Sequence, residues 1–196
     1  MFAAELSARD PDAFVQAFAF VPYDITQGIV LGPPSPPWPP LTILTAMFVH
    51  AGVAHIAVNL LFFIALAPAI EALCGPLRFA AFSLLAGIGG ALAQIAAAPL
   101  SHLPSLGASG AIAGVMGAYL VTYPTVRLAF GLPAFVLIGA WAALQFSSGY
   151  ALVAAHAAPA AGTAYVVHAG GFCVGVLGIG LFKRRRQGHG TTNRVR

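Results

Sequence analysis

Leu106-Gly107-Ala108-Ser109-Gly110-Ala111-Ile112-Ala113-Gly114 is the stretch on which the reading of this chain turns. A serine stands between glycines at the mouth of a long apolar segment. Upstream lies His50-Ala-Gly-Val-Ala-His55-Ile-Ala-Val-Asn59, and downstream lies Val167-His168-Ala-Gly-Gly171-Phe172-Cys-Val-Gly175. All three sit among residues apolar enough for a bilayer, where polar side chains are costly and call for an explanation.

The composition fixes the setting. Of 196 residues, 59% are hydrophobic and only 7% are Asp, Glu, Lys or Arg. A soluble domain would carry about a quarter of its residues charged. We therefore expect an all-α, polytopic membrane helical bundle. Spans of about 20 residues are needed to cross the hydrocarbon. Five are visible, at roughly 41–73, 78–98, 109–123, 133–149 and 163–182. Pro99 ends the second and Pro124 the third, which is short. The two cysteines, Cys74 and Cys173, form neither a disulfide framework nor a metal pattern. The net charge of +4 comes mostly from Lys183-Arg184-Arg185-Arg186, with Arg194 and Arg196 beyond. A basic run directly after a span reads as a cytoplasmic stop, not as a nucleic-acid site. The expected surroundings are the lipid bilayer, with no nucleic acid.

Residues 1–40 differ from the rest. Glu5, Arg9, Asp10, Asp12 and Asp24 interrupt any span, and the apolar piece 13–23 is too short to cross. It lacks the basic start of a signal peptide. We read 1–40 as an external segment, interfacial at first and then Pro-rich. The run Gly32-Pro-Pro-Ser-Pro-Pro-Trp38-Pro-Pro40 is incompatible with a helix, and Trp38 suits the headgroup level. Residues 41–182 form the membrane domain, and 183–196 a basic tail.

Charge sets the orientation. Arg78, Arg127 and the tail share one side of a five-span chain, so eight of nine Lys and Arg lie there. The positive-inside rule makes that side cytoplasmic. Ser109, His168, His50 and His55 then converge on the outer half of the bilayer.

A serine in a membrane helix is ordinarily a small packing residue. Gly107 and Gly110 allow a sharp turn and close approach of another chain. Ser109 also lies near a helix N-terminus, which favours a developing oxyanion. The pattern is Gly107-x-Ser109-Gly110, not the hydrolase elbow. His168 alone could be a buried structural residue. However, Gly171-x-x-x-Gly175 follows it and Gly110-x-x-x-Gly114 follows Ser109. Such ridges let two helices pack with backbones nearly touching, bringing a nucleophile to a base. His55 and Asn59, four apart, share a helix face. They are either an interhelical hydrogen-bond pair or oxyanion donors, each worth about 3 kcal/mol in the barrier. His50 lies off that face and suits a structural role by the Pro-rich loop. Glu71 is satisfied near the turn that follows and is not catalytic. Without HExxH or paired aspartates, zinc and aspartyl proteolysis are disfavoured, and no metal site is expected.

Together these motifs resemble the rhomboid intramembrane serine proteases, over about 42–182. The resemblance implies Ser109 as nucleophile and His168 as base of a dyad. His55, Asn59 and the Ser109 N–H would line the oxyanion site. The loop 151–162, with His156, would cap it, and no cofactor is implied. The substrates implied are other proteins' membrane helices, cut near their outer ends beside small residues. The family core has six spans, so the first would precede Met1, and residues 1–40 match the large loop after it. The Trp-Arg pair frequent in that loop is absent. The expected location is a bacterial inner membrane, multi-pass, with the C-terminus cytoplasmic. The competing reading is a non-catalytic or truncated rhomboid-like protein that binds membrane helices.

Overall fold

The computed structural model describes residues 8, 10–30, 32, 34–154 and 163–184. The distal tail and residues 155–162, which include His156, lie outside it. Among the described residues there are helices and turns, with two isolated bridges, Phe20 with Ser105 and Arg127 with Pro133.

The described part of the N-terminal segment holds two short helices. Helix α1 (Pro11–Phe18) starts where Asp10 Oδ1 accepts from the Ala13 N–H at 3.0 Å, a side-chain cap for an otherwise orphaned donor. Helix α2 (Pro22–Gln27) starts at a proline and ends at Gly28, with φ 65°. Between them, Phe20 exchanges backbone hydrogen bonds with Ser105 at 3.1 and 2.8 Å. Tyr23 N–H donates to Ser101 O at 3.0 Å, and Thr26 Oγ1 to Pro99 O at 2.9 Å. The segment is thus stitched to the loop that leads into Ser109. Ala17, Ala19, Phe20 and Val21 are buried there.

The stretch 41–73 does not form a single helix. A 3₁₀ turn at Pro39–Leu41 leads into α3 (Thr42–Ala46), and the helix then stops. The Ala46 carbonyl accepts from the Gly107 N–H at 2.8 Å, so the loop before Ser109 takes part of the bonding that a continuing helix would use. Residues 47–52, with His50, are irregular. Gly52 turns with φ 143° into α4 (Val53–Cys74). Gly75, φ 84°, separates α4 from α5 (Pro76–Ala97).

Helix α6 (Ser109–Thr122) is central. Every residue from Ile112 to Tyr119 is buried, as expected of a helix apolar on all sides. At about 1.5 Å per residue its 14 residues fall short of a bilayer. It is enclosed by α4, α5, α7 (Ala134–Ala154) and α8 (Thr163–Phe182). Of the five expected spans, Val53–Cys74, Pro76–Ala97 and Tyr165–Phe182 are long and apolar enough to cross a membrane. Ser109–Thr122 and Ala134–Ser148 are shorter apolar helices. Large side chains on the outside, such as Leu77 and Leu181 at 86% and 85% exposed, are anomalous in water and ordinary in lipid. The protein is an integral membrane protein.

Helix α8 lies between α6 and α5 with little side-chain material intervening. A Cβ added at Gly171 would fall on the Gly110 carbonyl, and one at Gly175 on the Gly114 carbonyl. On its other face, a Cβ at Gly170 would meet Ala93 Cβ at 2.6 Å and Gly89 O at 3.0 Å. Small residues on both faces let three backbones approach as closely as membrane helices do. At the far end of the bundle, Arg184 N–H and Nε donate to Leu73 O and Cys74 O at 3.1 and 3.3 Å. The Arg184 main chain and guanidinium thus each cover one carbonyl left over at the α4 C-terminus, where a cation suits the dipole. Arg78 reaches Lys183 O at 3.4 Å, so these basic residues share that end.

Candidate active site

A cavity of about 360 Å³ opens among α4, α6, α7 and α8. Ser109, His168, His55, Asn59, Gly107 and Gly110 all line it. Three segments separated by more than forty residues each are therefore brought to one place.

Ser109 is the first residue of α6, so the N–H groups of the first turn have no intrahelical partners. The turn before it depends on Gly107, whose φ of 106° is strained for other residues. A Cβ there would also meet the His55 ring at 2.8 Å, from Cε1, and at 2.9 Å, from Nε2. Gly107 is thus the gap through which α4 approaches the serine turn.

Asn59 is 7% exposed, and its Nδ2 is buried without a hydrogen-bond partner among the described residues. An unpartnered amide donor is unfavourable unless something else fills its place. One turn earlier, His55 Nδ1 accepts from the Ala51 N–H at 3.3 Å. In a neutral ring this leaves the hydrogen on Nε2. His50, buried in the 47–52 loop, packs edge-on against His55 with centroids 5.2 Å apart. It backs His55 and does not line the cavity.

His168 lies one turn before Gly171 on α8. Among the described residues its ring is hydrogen-bonded to Gln145, with Nδ1 2.9 Å from Oε1, and not to Ser109. Trp141 tilts against the same ring at 5.9 Å between centroids. Sequence reasoning passed over both α7 residues. The available signal was a glutamine in an apolar helix, four residues after a tryptophan and so on the same face.

Among the described residues no group of three or more His, Cys, Asp or Glu side chains is placed to hold a metal ion. The arrangement offers a hydroxyl, an imidazole and N–H donors around one cavity, the components of acyl transfer.

The rhomboid domain family matches residues 37–185, about three-quarters of the chain. The chain belongs to the rhomboid family. Three relatives show the range of similarity. The rhomboid protease GluP of Bacillus subtilis is 42% identical over 78 residues, 40% of this chain and 15% of that protein. Rhomboid-related protein 2 of Mus musculus is 34% identical over 146 residues, 71% of this chain and 47% of its own. The mitochondrial rhomboid protein 1 of Saccharomyces cerevisiae is 32% identical over 143 residues, 70% of this chain and 40% of its own. In each case the match spans less than half of the relative. The rhomboid domain here contains all the residues that line the cavity on α4, α6, α7 and α8.

Proposed function

We propose that this rhomboid is an intramembrane serine endopeptidase that cuts transmembrane segments of other membrane proteins through a Ser109–His168 dyad. The observation that carries this reading is the convergence of Ser109, His168 and the unpartnered Asn59 amide on one cavity between apolar helices.

In this reading the Ser109 Oγ attacks the scissile carbonyl carbon while His168 takes the hydroxyl proton. The carbonyl electron pair moves onto oxygen. Asn59 Nδ2, the His55 Nε2–H and the Ser109 backbone N–H stabilise that oxyanion, with the α6 N-terminus behind them. As the C–N bond breaks, His168 returns the proton to the leaving amine. Water, deprotonated by the same imidazole, then releases the acyl group from Ser109. His55 and His168 serve opposite purposes, one donating and the other accepting. No cofactor is invoked.

The substrates are helices carrying small residues near their outer ends, where a strand can unwind toward Ser109. Residues 1–40 form an outer segment, 41–182 the membrane domain and 183–196 a cytoplasmic tail in a bacterial inner membrane. The basic groups Arg78, Lys183 and Arg184 at one end of the bundle support that orientation.

The test is co-reconstitution in lipid vesicles with single-span reporter proteins. The wild-type chain is expected to cut reporters that carry a small residue near the outer end. Asn59→Ala is expected to lower kcat by about 10²–10³-fold, the loss typical of one oxyanion donor. Cleavage that is indifferent to Asn59→Ala would remove that residue from the oxyanion site.

A further inference from the structure

We propose that Gln145 is a positioning residue that fixes the orientation and tautomer of His168, so that α7 sets up the base for its reaction. This rests on the protease reading above and adds a third side chain to the proposed dyad.

The chemistry of the contact is directional. An amide oxygen only accepts hydrogen bonds, so the Nδ1 atom 2.9 Å from Gln145 Oε1 carries the ring hydrogen. In the neutral ring the lone pair is then on Nε2, which remains for the Ser109 proton. Without that acceptor the hydrogen is free to sit on Nε2 instead, and that tautomer accepts nothing from the serine at that atom. An orienting partner of this kind controls an imidazole base in serine hydrolases generally.

The surroundings support the assignment. Gln145 is 7% exposed and follows an unbroken apolar run from Ala134 to Leu144, and a buried amide in lipid requires a partner. Trp141, one turn earlier on the same face of α7, tilts against the His168 ring and also packs on Phe172 at 6.1 Å. The ring is thereby held at its edge by Gln145 and beside its face by Trp141. Among the described residues, His55 is the other titratable side chain lining the cavity. Among the described residues no carboxylate lines it, and the neutral amide oriented on Nδ1 takes the place that an aspartate holds in a triad. When Nε2 gains the proton, Nδ1–H becomes charged and its bond to Oε1 strengthens. The contact is therefore stronger in the transition state than before it, which is the condition for raising kcat.

The experiment compares reporter cleavage by wild type, Gln145→Leu and Gln145→Glu in lipid vesicles, with kcat and KM determined separately. Gln145→Leu removes the acceptor and is expected to lower kcat about ten- to a hundredfold, the usual loss for an outer-shell partner, with KM unchanged. Gln145→Glu restores an acceptor of the same length and is expected to recover most of the lost kcat. Gln145→Met, which keeps length and bulk, replaces Gln145→Leu if that variant does not fold. Wild-type kcat in the leucine or methionine variant would overturn the proposal. So would a loss confined to KM, or a folded glutamate variant no better than leucine. A wild-type chain that cleaves no reporter and carries no fluorophosphonate-reactive serine would instead refute the protease reading, and this inference with it.

Discussion

Ser109→Ala and His168→Ala are each expected to lower reporter cleavage by on the order of 10⁶-fold, to the floor of detection. The two groups act as one unit: the hydroxyl is a poor nucleophile without a base, and the base has nothing to activate without the hydroxyl. The double variant is accordingly expected to be no worse than either single one. Whatever residual cleavage remains belongs to the oxyanion donors, because Asn59 and His55 stand on a different helix and are untouched. Measuring kcat for the three variants in the same vesicles checks this. Additive losses, or cleavage within an order of magnitude of wild type after either change, would contradict the dyad.

Gly171→Leu is expected to destroy the architecture that brings the dyad together. The position offers no room for a Cβ, because the Gly110 carbonyl already occupies it. Overpacking a core usually costs about 1–3 kcal/mol when side chains can yield. Here the obstructing group is backbone, one residue past Ser109, so relief requires α8 to move away from α6. His168, one turn from Gly171, moves with it. We expect a loss at the upper end of that range or beyond, a lowered thermal midpoint in detergent and no reporter cleavage. Gly180 is the internal control. It lies on the same helix with open space around it, and Gly180→Leu is expected to fold and cleave as wild type does. Equal midpoints for the two variants would refute the close-packed account of α6 and α8.

Much of this was legible because chemistry and packing left different marks on the same residues. Serine, histidine and asparagine stand out against an apolar background, and the ridges Gly110–Gly114 and Gly171–Gly175 pointed to each other. The helix boundaries around Ser109 and Thr163 followed from glycines, prolines and the change of composition. Other features depend on tertiary contacts that no local pattern encodes. The helix break after Ala46 carries no proline; there the Ala46 carbonyl accepts from the Gly107 N–H, across some sixty residues of chain, as well as from the Val49 N–H. The pairing of Phe20 with Ser105 is likewise backbone to backbone and indifferent to side-chain identity. The α5 glycines carry no local signal of their partner; the approach of Gly170 to Gly89 and Gly90 is what gives them a role. Gln145 was overlooked because a lone glutamine has no motif, and only the distance to His168 gives it meaning.

The proposed nucleophile can be tested without knowledge of any substrate. A fluorophosphonate probe forms a phosphorus–oxygen bond with an activated serine and releases fluoride. The chain should be purified in detergent, treated with the probe and mapped by peptide mass spectrometry. The account predicts one adduct, on Ser109, absent in Ser109→Ala and strongly reduced in His168→Ala, with both variants folded. An adduct on another serine, or labelling that persists in Ser109→Ala, would contradict it.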